Sequence, residues 1–367
     1  MLGQSIKKLK QKKIFILFLS LVLIISTASS FIYFSRNNPT TPSNQTQTKP
    51  NYEKKNIEVP EDIKEINQLS ILLIGYGGPG HQGGFLADVI QLAVADFKNS
   101  TIHLISIPRD LWLTLPNGKQ AKINQVLASG EGEADLVTNG AEQMKTVLSH
   151  ITGLKINYFV AVDFVGFQRA IGYNLGGITV NVPETLDDPW YPIHGEELNP
   201  CGYTPEEIAE LTAKYSGFEL ESKFECRYEH LHYEPGPVEM EGGDALKYVR
   251  SRHGSAAGDF SRSQRQHAVL LGVRDRLFEL DALSKIPAFF SDVNENITSD
   301  IDEKIISKLA PLLKLSQNYH VNKIIISTDN VLTHSSNAGQ STLVSQEGLD
   351  QWQGVQAYLE KEMLAKN

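Results

Sequence analysis

Residues 71–107 read ILLIGYGGPGHQGGFLADVIQLAVADFKNSTIHLISI, and their reading decides the fold. Ile71–Ile74 is a short apolar run that ends in glycines, while Asp88–Phe97 and Thr101–Ile107 are longer Val- and Ile-rich runs of strand character. Further strands are expected at Phe159–Val162, Ile178–Val182 and Lys323–Ser327. Helical patterning occupies Thr138–His150, Asp163–Leu175, Phe260–Leu280, Asp302–Leu315 and Leu349–Ala365. Strands and helices interleave, so the expected architecture is α/β, with helices covering the faces of a sheet.

The segment between the first two strands, Gly75-Tyr-Gly-Gly-Pro-Gly80, satisfies G-x-G-x-x-G after a strand. A dinucleotide fingerprint must open a helix, yet Pro79, Gly80, Gly83 and Gly84 are followed by another strand. No Gly-Lys-Ser/Thr follows, which excludes a P-loop. Two readings remain: a glycine loop whose bare amides approach an anion, or a long turn.

Outward from this core the chain changes character. Lys7, Lys8, Lys10, Lys12 and Lys13 precede an uncharged run, Ile14–Phe34, which as a helix spans about 31 Å, close to the hydrocarbon thickness of a bilayer. The lysines place 1–13 in the cytoplasm and the remainder outside. A cleaved signal peptide is the competing reading, with Ile14–Ile25 as its apolar region and Ser26–Ser30 as its cleavage site. Resumption of apolar residues at Phe31–Phe34 favours a retained 14–34 anchor, hence a single-pass protein of the cytoplasmic membrane with an extracellular C-terminal domain. Residues 35–65 read as a linker, since Asn37–Tyr52 is polar, Pro-bearing and free of large aliphatics. The catalytic domain is expected over 66–330 and a C-terminal helical extension over 331–367.

The 367 residues carry 34 Lys+Arg against 43 Asp+Glu, a net charge of −9, which argues against nucleic acid as a partner; no basic reading helix is present. Within 184–241, fifteen acids face only Lys214, Lys223 and Arg227, a net of −12 that exceeds the charge of the whole chain. This stretch reads as an insertion. It holds the two cysteines, Cys201 and Cys226, which outside the membrane are expected to form a disulfide. Two unrelated buried thiols are the other reading.

Against this acidic background, Tyr248-Val-Arg-Ser-Arg252 and Asp259-Phe-Ser-Arg-Ser-Gln-Arg-Gln266 place four arginines beside a single acid within seventeen residues, 250–266. Guanidinium forks grip phosphate oxygens bidentately and stay charged, as a diphosphate site requires. A helix beginning near Phe260 puts Arg262 and Gln266 on one face, with its positive end nearby. Ordinary capping by Asp259 or Ser261, and ion pairing with the acidic insertion, compete with that reading. A second polar group, Ser106-Ile-Pro-Arg109-Asp110 with Lys122-Ile-Asn124, falls where a buried strand ends, a common place for ligands. Asp88, at the start of a strand, offers a carboxylate for Mg²⁺ against a phosphate, or for a turn cap.

The ordered series Ser106-Ile-Pro-Arg-Asp110, Lys122-Ile-Asn124, Leu175-Gly-Gly-Ile-Thr-Val-Asn-Val-Pro183, Ala245-Leu-Lys-Tyr-Val-Arg-Ser-Arg252 and Asp259–Gln266 resembles the LytR-CpsA-Psr family over about residues 70–275. The resemblance implies a central mixed sheet and a hydrophobic channel for a polyprenyl chain. It also implies transfer of a glycan-1-phosphate from an undecaprenyl-diphosphate carrier to a hydroxyl of peptidoglycan, assisted by Mg²⁺. Carried over by position, Arg109, Arg250, Arg252, Arg262 and Gln266 clasp the diphosphate, Asp259 orients arginines, and Asp88 sits near the metal. Lys122, Asn124 and Arg265 are expected to contact substrate. The family's Gly-x-Asp-x-Arg after the first strand is replaced here by Gly75-Tyr-Gly-Gly-Pro-Gly-His81, so the usual first metal carboxylate is missing, and His81 or backbone groups are candidates to replace it. Asp88 and Asp259 are the candidate bases. Hydrolysis of the diphosphate lipid, or non-catalytic binding of lipid-linked glycan or cell wall, are the alternative activities.

Overall fold

The computed structural model describes residues 67–132, 135–255, 259–279, 296–301, 305 and 318–365. The expected anchor at 14–34, the linker at 35–65 and most of the helix expected at 302–315 lie outside the described residues. Among the described residues no helix is long and apolar enough to cross a membrane.

The quoted segment forms three consecutive strands, β1 (Gln68–Tyr76), β2 (Ala87–Asp96) and β3 (Thr101–Ser106), joined as an antiparallel meander. Short β4 (Trp112–Thr114) and β5 (Gln120–Lys122) pair with each other and lead into α1 (Gln125–Ala128) and α2 (Leu136–Thr152). From α2 the chain returns as β6 (Tyr158–Asp163), parallel to β1. The helix expected at Asp163–Leu175 is α3 (Phe164–Arg169) followed by a wide π turn, Ala170–Asn174. Beyond β7 (Ile178–Val182), the acidic stretch folds as a ribbon of β8 (Leu186–Pro192) and β9 (Tyr228–Tyr233), with α4 (Pro205–Lys214) and α5 (Gly217–Glu221) between them. β10 (Gly236–Met240) then pairs antiparallel with β7, so the last residues of 184–241 belong to the main body, and Met240 is buried in its core. Two helices follow, α6 (Gly242–Arg250) and α7 (Asp259–Glu279).

With β11 (Ile297–Ser299) and β12 (His320–Ile325), the main sheet has the order β11-β6-β1-β2-β3-β12 and is mixed: β1 with β6 and β3 with β12 are parallel, the other pairs antiparallel. Alternate residues of β1 enter opposite cores. Leu69, Ile71 and Leu73 pack with Val160, Val162, Val180, Leu246, Val249, Val269 and Val273, while Leu72 and Ile74 pack with Leu92, Ile105, Met144, Leu148 and Ile151. Burial on both faces explains why these strands read as continuous apolar runs rather than as an alternation.

Residues 331–367 are not a purely helical extension. They begin with a hairpin, β13 (Leu332–Asn337) and β14 (Gln340–Ser345), whose turn residues Ala338 and Gly339 both take positive φ, as a type I′ turn requires. The hairpin's Ser/Thr content, which includes the buried Thr342 and Ser345, hides its strand character from an apolar count. After it, α8 (Gln353–Leu364) and the preceding Trp352 insert Trp352, Val355 and Leu359 into the second core.

Cys201 and Cys226 form a disulfide across 25 residues of the acidic stretch. Helix α4 inside that loop starts with a capping box, Thr204 with Glu207, and Pro205 in its first turn.

Candidate active site

Strand direction decides where the polar side chains gather. β1 and β6 run parallel and end together at Tyr76 and Asp163. β2 starts beside the end of β1, and β3 ends beside the start of β2. One margin of the sheet therefore collects the residues that follow three strand ends. Asp88 is the extra residue of a bulge there: Gly75 pairs with Val89 and Tyr76 with Ala87, leaving Asp88 between them. Such a bulge re-aims a side chain that regular pleating would bury.

Above this margin, between the sheet and helices α3, α6 and α7, lies a cavity of about 740 Å³. Its apolar lining includes Leu73, Val162, Phe167, Leu246, Val249 and Val269. The lining also carries Asp88, Arg109, Arg250, Arg252, Arg262 and Gln266, drawn from four separate stretches of chain, and the acids Asp163, Asp188, Glu197 and Glu221. His81 lines it too, its ring packed against Phe164 at 5.4 Å and His194 at 5.3 Å between centroids.

Local structure places each of these groups. Arg109 follows β3 and pairs with Asp88 through Nη1, with Asp110 3.7 Å from its Nε. Arg250 is the last residue of α6 and lays its guanidinium over the Phe164 ring, 4.3 Å from the centroid. Arg252 lies exposed just past that helix, on a loop drawn in by Ser251, whose Oγ donates to the buried Asp188 at 2.6 Å. Arg262 and Gln266 sit one turn apart on α7, and Gln266 Oε1 accepts from Gln91 Nε2 at 3.2 Å.

Three expected site residues are elsewhere. Arg265 is buried, donating to the carbonyls of Tyr248 (3.0 Å) and Ser251 and to Ser255 Oγ; it ties α7 to the end of α6 and does not line the cavity. Its position on α7 turns it away from Arg262, a distinction that arginine density along a sequence does not make. Lys122 pairs with Asp110 at 2.6 Å, one residue from Arg109 and outside the lining. Asn124 is buried ahead of α1, where its carbonyl accepts from Ala87 N at 3.0 Å. Asp259 opens α7; its side chain lies outside the described residues.

The glycine loop folds on itself: Gly78 N donates to Gly84 O at 2.8 Å and Gly84 N to His81 O at 2.9 Å. Of the two readings left by the sequence, the turn describes these amides. Gly78 has φ +86°, and a Cβ there would come within 2.9 Å of Asp163 Cβ; a Cβ on Gly84 would come within 2.1 Å of Gly78 O. The loop is thus pressed onto Asp163, a cavity-lining carboxylate that the sequence reading missed. Asp163 caps α3 by accepting from Gly166 N at 2.7 Å, and its Oδ2 accepts from Asn296 Nδ2 at 2.9 Å. An acid at a strand-to-helix junction reads as a plain N-cap, which it also is. Burial first, and the Asp163 charge second, push the Tyr76 hydroxyl up to about 12.

Four arginines beside an apolar surface suit an amphiphile with an anionic head. Residues 30–357 match the LytR_cpsA_psr family, and the chain belongs to it. It is 25% identical over 296 residues to the polyisoprenyl-teichoic acid–peptidoglycan teichoic acid transferase TagV of Bacillus subtilis, covering 79% of this chain and 64% of that protein. The same comparison with TagU of Bacillus licheniformis gives 24% identity and covers 80% of both chains. The crystal structure of B. subtilis TagV superposes with a TM-score of 0.54 at 20% identity, over 82% of this chain and 99% of that one, and shares its fold.

Proposed function

We propose that the protein transfers a glycan-1-phosphate from an undecaprenyl-diphosphate-linked precursor to a sugar hydroxyl of peptidoglycan at the cytoplasmic membrane, forming a phosphodiester. The observation that carries this reading is the convergence of Arg109, Arg250, Arg252 and Arg262 on one cavity that also has an extended apolar surface. The names of its relatives, teichoic acid transferases acting between a polyisoprenyl carrier and peptidoglycan, support the same substrate classes.

In this mechanism the acceptor oxygen attacks the phosphorus nearer the sugar, the P–O bond to the second phosphorus breaks, and polyprenyl phosphate leaves. The arginines hold the non-bridging oxygens where negative charge grows, and positioning does most of the catalysis. Phe164 under Arg250 fixes that guanidinium without cancelling its charge. Gln266, oriented by Gln91, offers an amide to the same headgroup. The acceptor's proton goes to a carboxylate: Asp88 or Asp259.

The donor set fits Mg²⁺, which takes oxygen ligands and commonly one or two carboxylates besides phosphate. Asp88 and Asp163 both line the cavity and would hold it, whereas the His81 imidazole is a poorer partner for so hard an ion. When bound, the ion neutralises charge on the diphosphate.

The test is to incubate full-length protein with lipid-linked glycan and peptidoglycan and to follow release of polyprenyl phosphate with and without acceptor. Release that depends on acceptor and Mg²⁺ is expected. Free glycan phosphate without acceptor would make the protein a hydrolase, and no release at all would make it a binder.

A further inference from the structure

A second cluster of donor atoms lies on the outer face of the β8–β9 ribbon, apart from the cavity. His230 and His232 are two residues apart on β9 and so share a face, and Asp187 of β8 is the cross-strand partner of His232. His230 Nε2 lies 2.6 Å, and His232 Nδ1 2.9 Å, from the same oxygen, Asp187 Oδ1. One ligand atom from each of the three lies within 4.8 Å of the others, and all three side chains are solvent-accessible.

We propose that Asp187, His230 and His232 form a binding site for a divalent transition metal of the zinc class, with water as fourth ligand. The geometry around His232 carries the inference. Its other nitrogen, Nε2, lies 3.0 Å from Glu234 Oε1, and Glu234 Oε2 in turn accepts from Thr185 Oγ1 at 3.2 Å. With the ring's proton on Nε2 and directed to Glu234, the Nδ1 lone pair faces Asp187 Oδ1. That pair of atoms shares one partner, a proton when Nδ1 carries it and a metal ion when the ring is neutral with its proton on Nε2. A carboxylate behind an imidazole is the usual outer partner of a zinc-bound histidine, fixing its tautomer and orientation. Imidazole and carboxylate suit zinc, and three protein ligands leave its fourth position open. Bonds of about 2.0–2.2 Å to a tetrahedral ion separate the donors by roughly 3.3 Å, an adjustment of under an ångström for the two contacts to Asp187 Oδ1, which exposed side chains make freely.

The site has a role to play in the cavity. Asp187 N donates to Gly254 O at 3.1 Å, and the next residue, Asp188, faces inward and accepts from Ser251 Oγ at 2.6 Å. Trp190 and Tyr191 of the same strand line the cavity. A metal clasp across β8 and β9 therefore stiffens the wall against which the Arg250–Arg252 loop rests.

Tag-free full-length protein is titrated with Zn²⁺ in competition with a chromophoric chelator, and separately with Co²⁺. One Zn²⁺ per chain is expected, with affinity lowered more than tenfold in Asp187→Asn and in His230→Gln/His232→Gln, and about tenfold in Glu234→Gln. Co²⁺ on the wild type should give the intense visible absorption of a four-coordinate ion. Melting in EDTA establishes that the variants fold; should any not, the Co²⁺ spectrum and Glu234→Gln decide. Wild-type protein that leaves Zn²⁺ with the chelator, or holds it no better than the double-histidine variant, overturns the proposal, as does a Co²⁺ spectrum of the bare hydrated ion.

Discussion

Arginines of the 250–266 stretch have opposite duties, and burial separates them. Arg252 is exposed at the cavity, whereas Arg265 is 1% exposed and bonded to the carbonyls of Tyr248 and Ser251. Arg252→Ala is expected to abolish transfer with an unchanged melting curve, since it removes no buried apolar contact, and Arg262→Ala to abolish transfer in a protein that still unfolds cooperatively. Arg265→Ala leaves two carbonyls without their charged donor and should cost about 3 kcal/mol of stability, read as a lower denaturant midpoint. Wild-type turnover in the first pair, or an unchanged midpoint in the last, would sink the assignment. His267 offers a further test at this scale. It is wholly buried on α7 with Nε2 2.9 Å from Ser106 Oγ, and burial pushes its imidazole down to about 3. The unfolded chain takes up that proton near pH 6.5 and the folded one does not, so stability is present above about 6.5 and falls as pH drops from there toward 3. His103 and His150 are shifted downward too, chiefly by burial, and add to the same acid limb. Denaturant melts of the wild type and His267→Gln at pH 7 and pH 5 should show the variant losing about 2 kcal/mol less over that interval; parallel losses would exclude His267 as a source.

Among elements, the 201–226 loop of the acidic excursion owes its shape to a covalent closure, the capping box of α4 and one buried ring, Phe224, rather than to an extended core. Helices α4 and α5 bury none of their residues, and the loop containing them is closed by Cys201–Cys226. For a 25-residue separation the chain-entropy account gives about 3.5 kcal/mol. Cys201→Ser/Cys226→Ser should therefore speed amide exchange selectively in 201–226 while the six-stranded sheet stays protected; equal protection in both proteins would contradict this. How legible each element was follows the same physics. β1, β2, β3 and β6 were plain in the sequence because burial makes them largely apolar, and β7 because it alternates buried Ile178, Val180 and Val182 with exposed Thr179 and Asn181. The arginines of the cavity were legible because charge crowding against an acidic background is a linear signal. Asp163 and Gln91 were not, because each becomes a cavity residue only when β6 and β2 line up beside β1. Nor was the division between Arg262 and Arg265, which depends on which side of α7 meets α6. The hairpin β13–β14 escaped because its strands are rich in Ser, Thr and Asn, even at the buried positions Thr342 and Ser345.

On the scale of the whole molecule, the sheet's two faces divide the work. One supports the cavity through α3, α6 and α7; the other is closed by α2 and by the last stretch of chain. That last stretch also reaches the site margin. Leu343 N donates to Asp110 O at 3.0 Å, and Asp110 is the acid beside Arg109 that pairs with Lys122. Thr114 N donates to Asp350 Oδ1 at 2.9 Å, and Gln356 Nε2 to His150 O at 2.9 Å, so hairpin and helix are stitched to both the site loop and α2. A chain ending at Val331 would lose Leu332, Trp352, Val355 and Leu359 from the second core. At about 1.5–3 kcal/mol for each buried apolar side chain, the loss is roughly 6–12 kcal/mol, comparable to the 5–15 kcal/mol that holds a typical domain folded. The truncated protein is expected to lose cooperative unfolding, and with it the arginine cluster, although every cavity-lining residue is still encoded. Trp352→Ala is the graded version: removing one large side chain from that face should cost about 3–5 kcal/mol and lower the melting temperature while the arginines stay in place. A 1–331 chain that unfolds cooperatively at the wild-type temperature would show that the C-terminal stretch is an appendage after all, and that the sheet needs only one covered face.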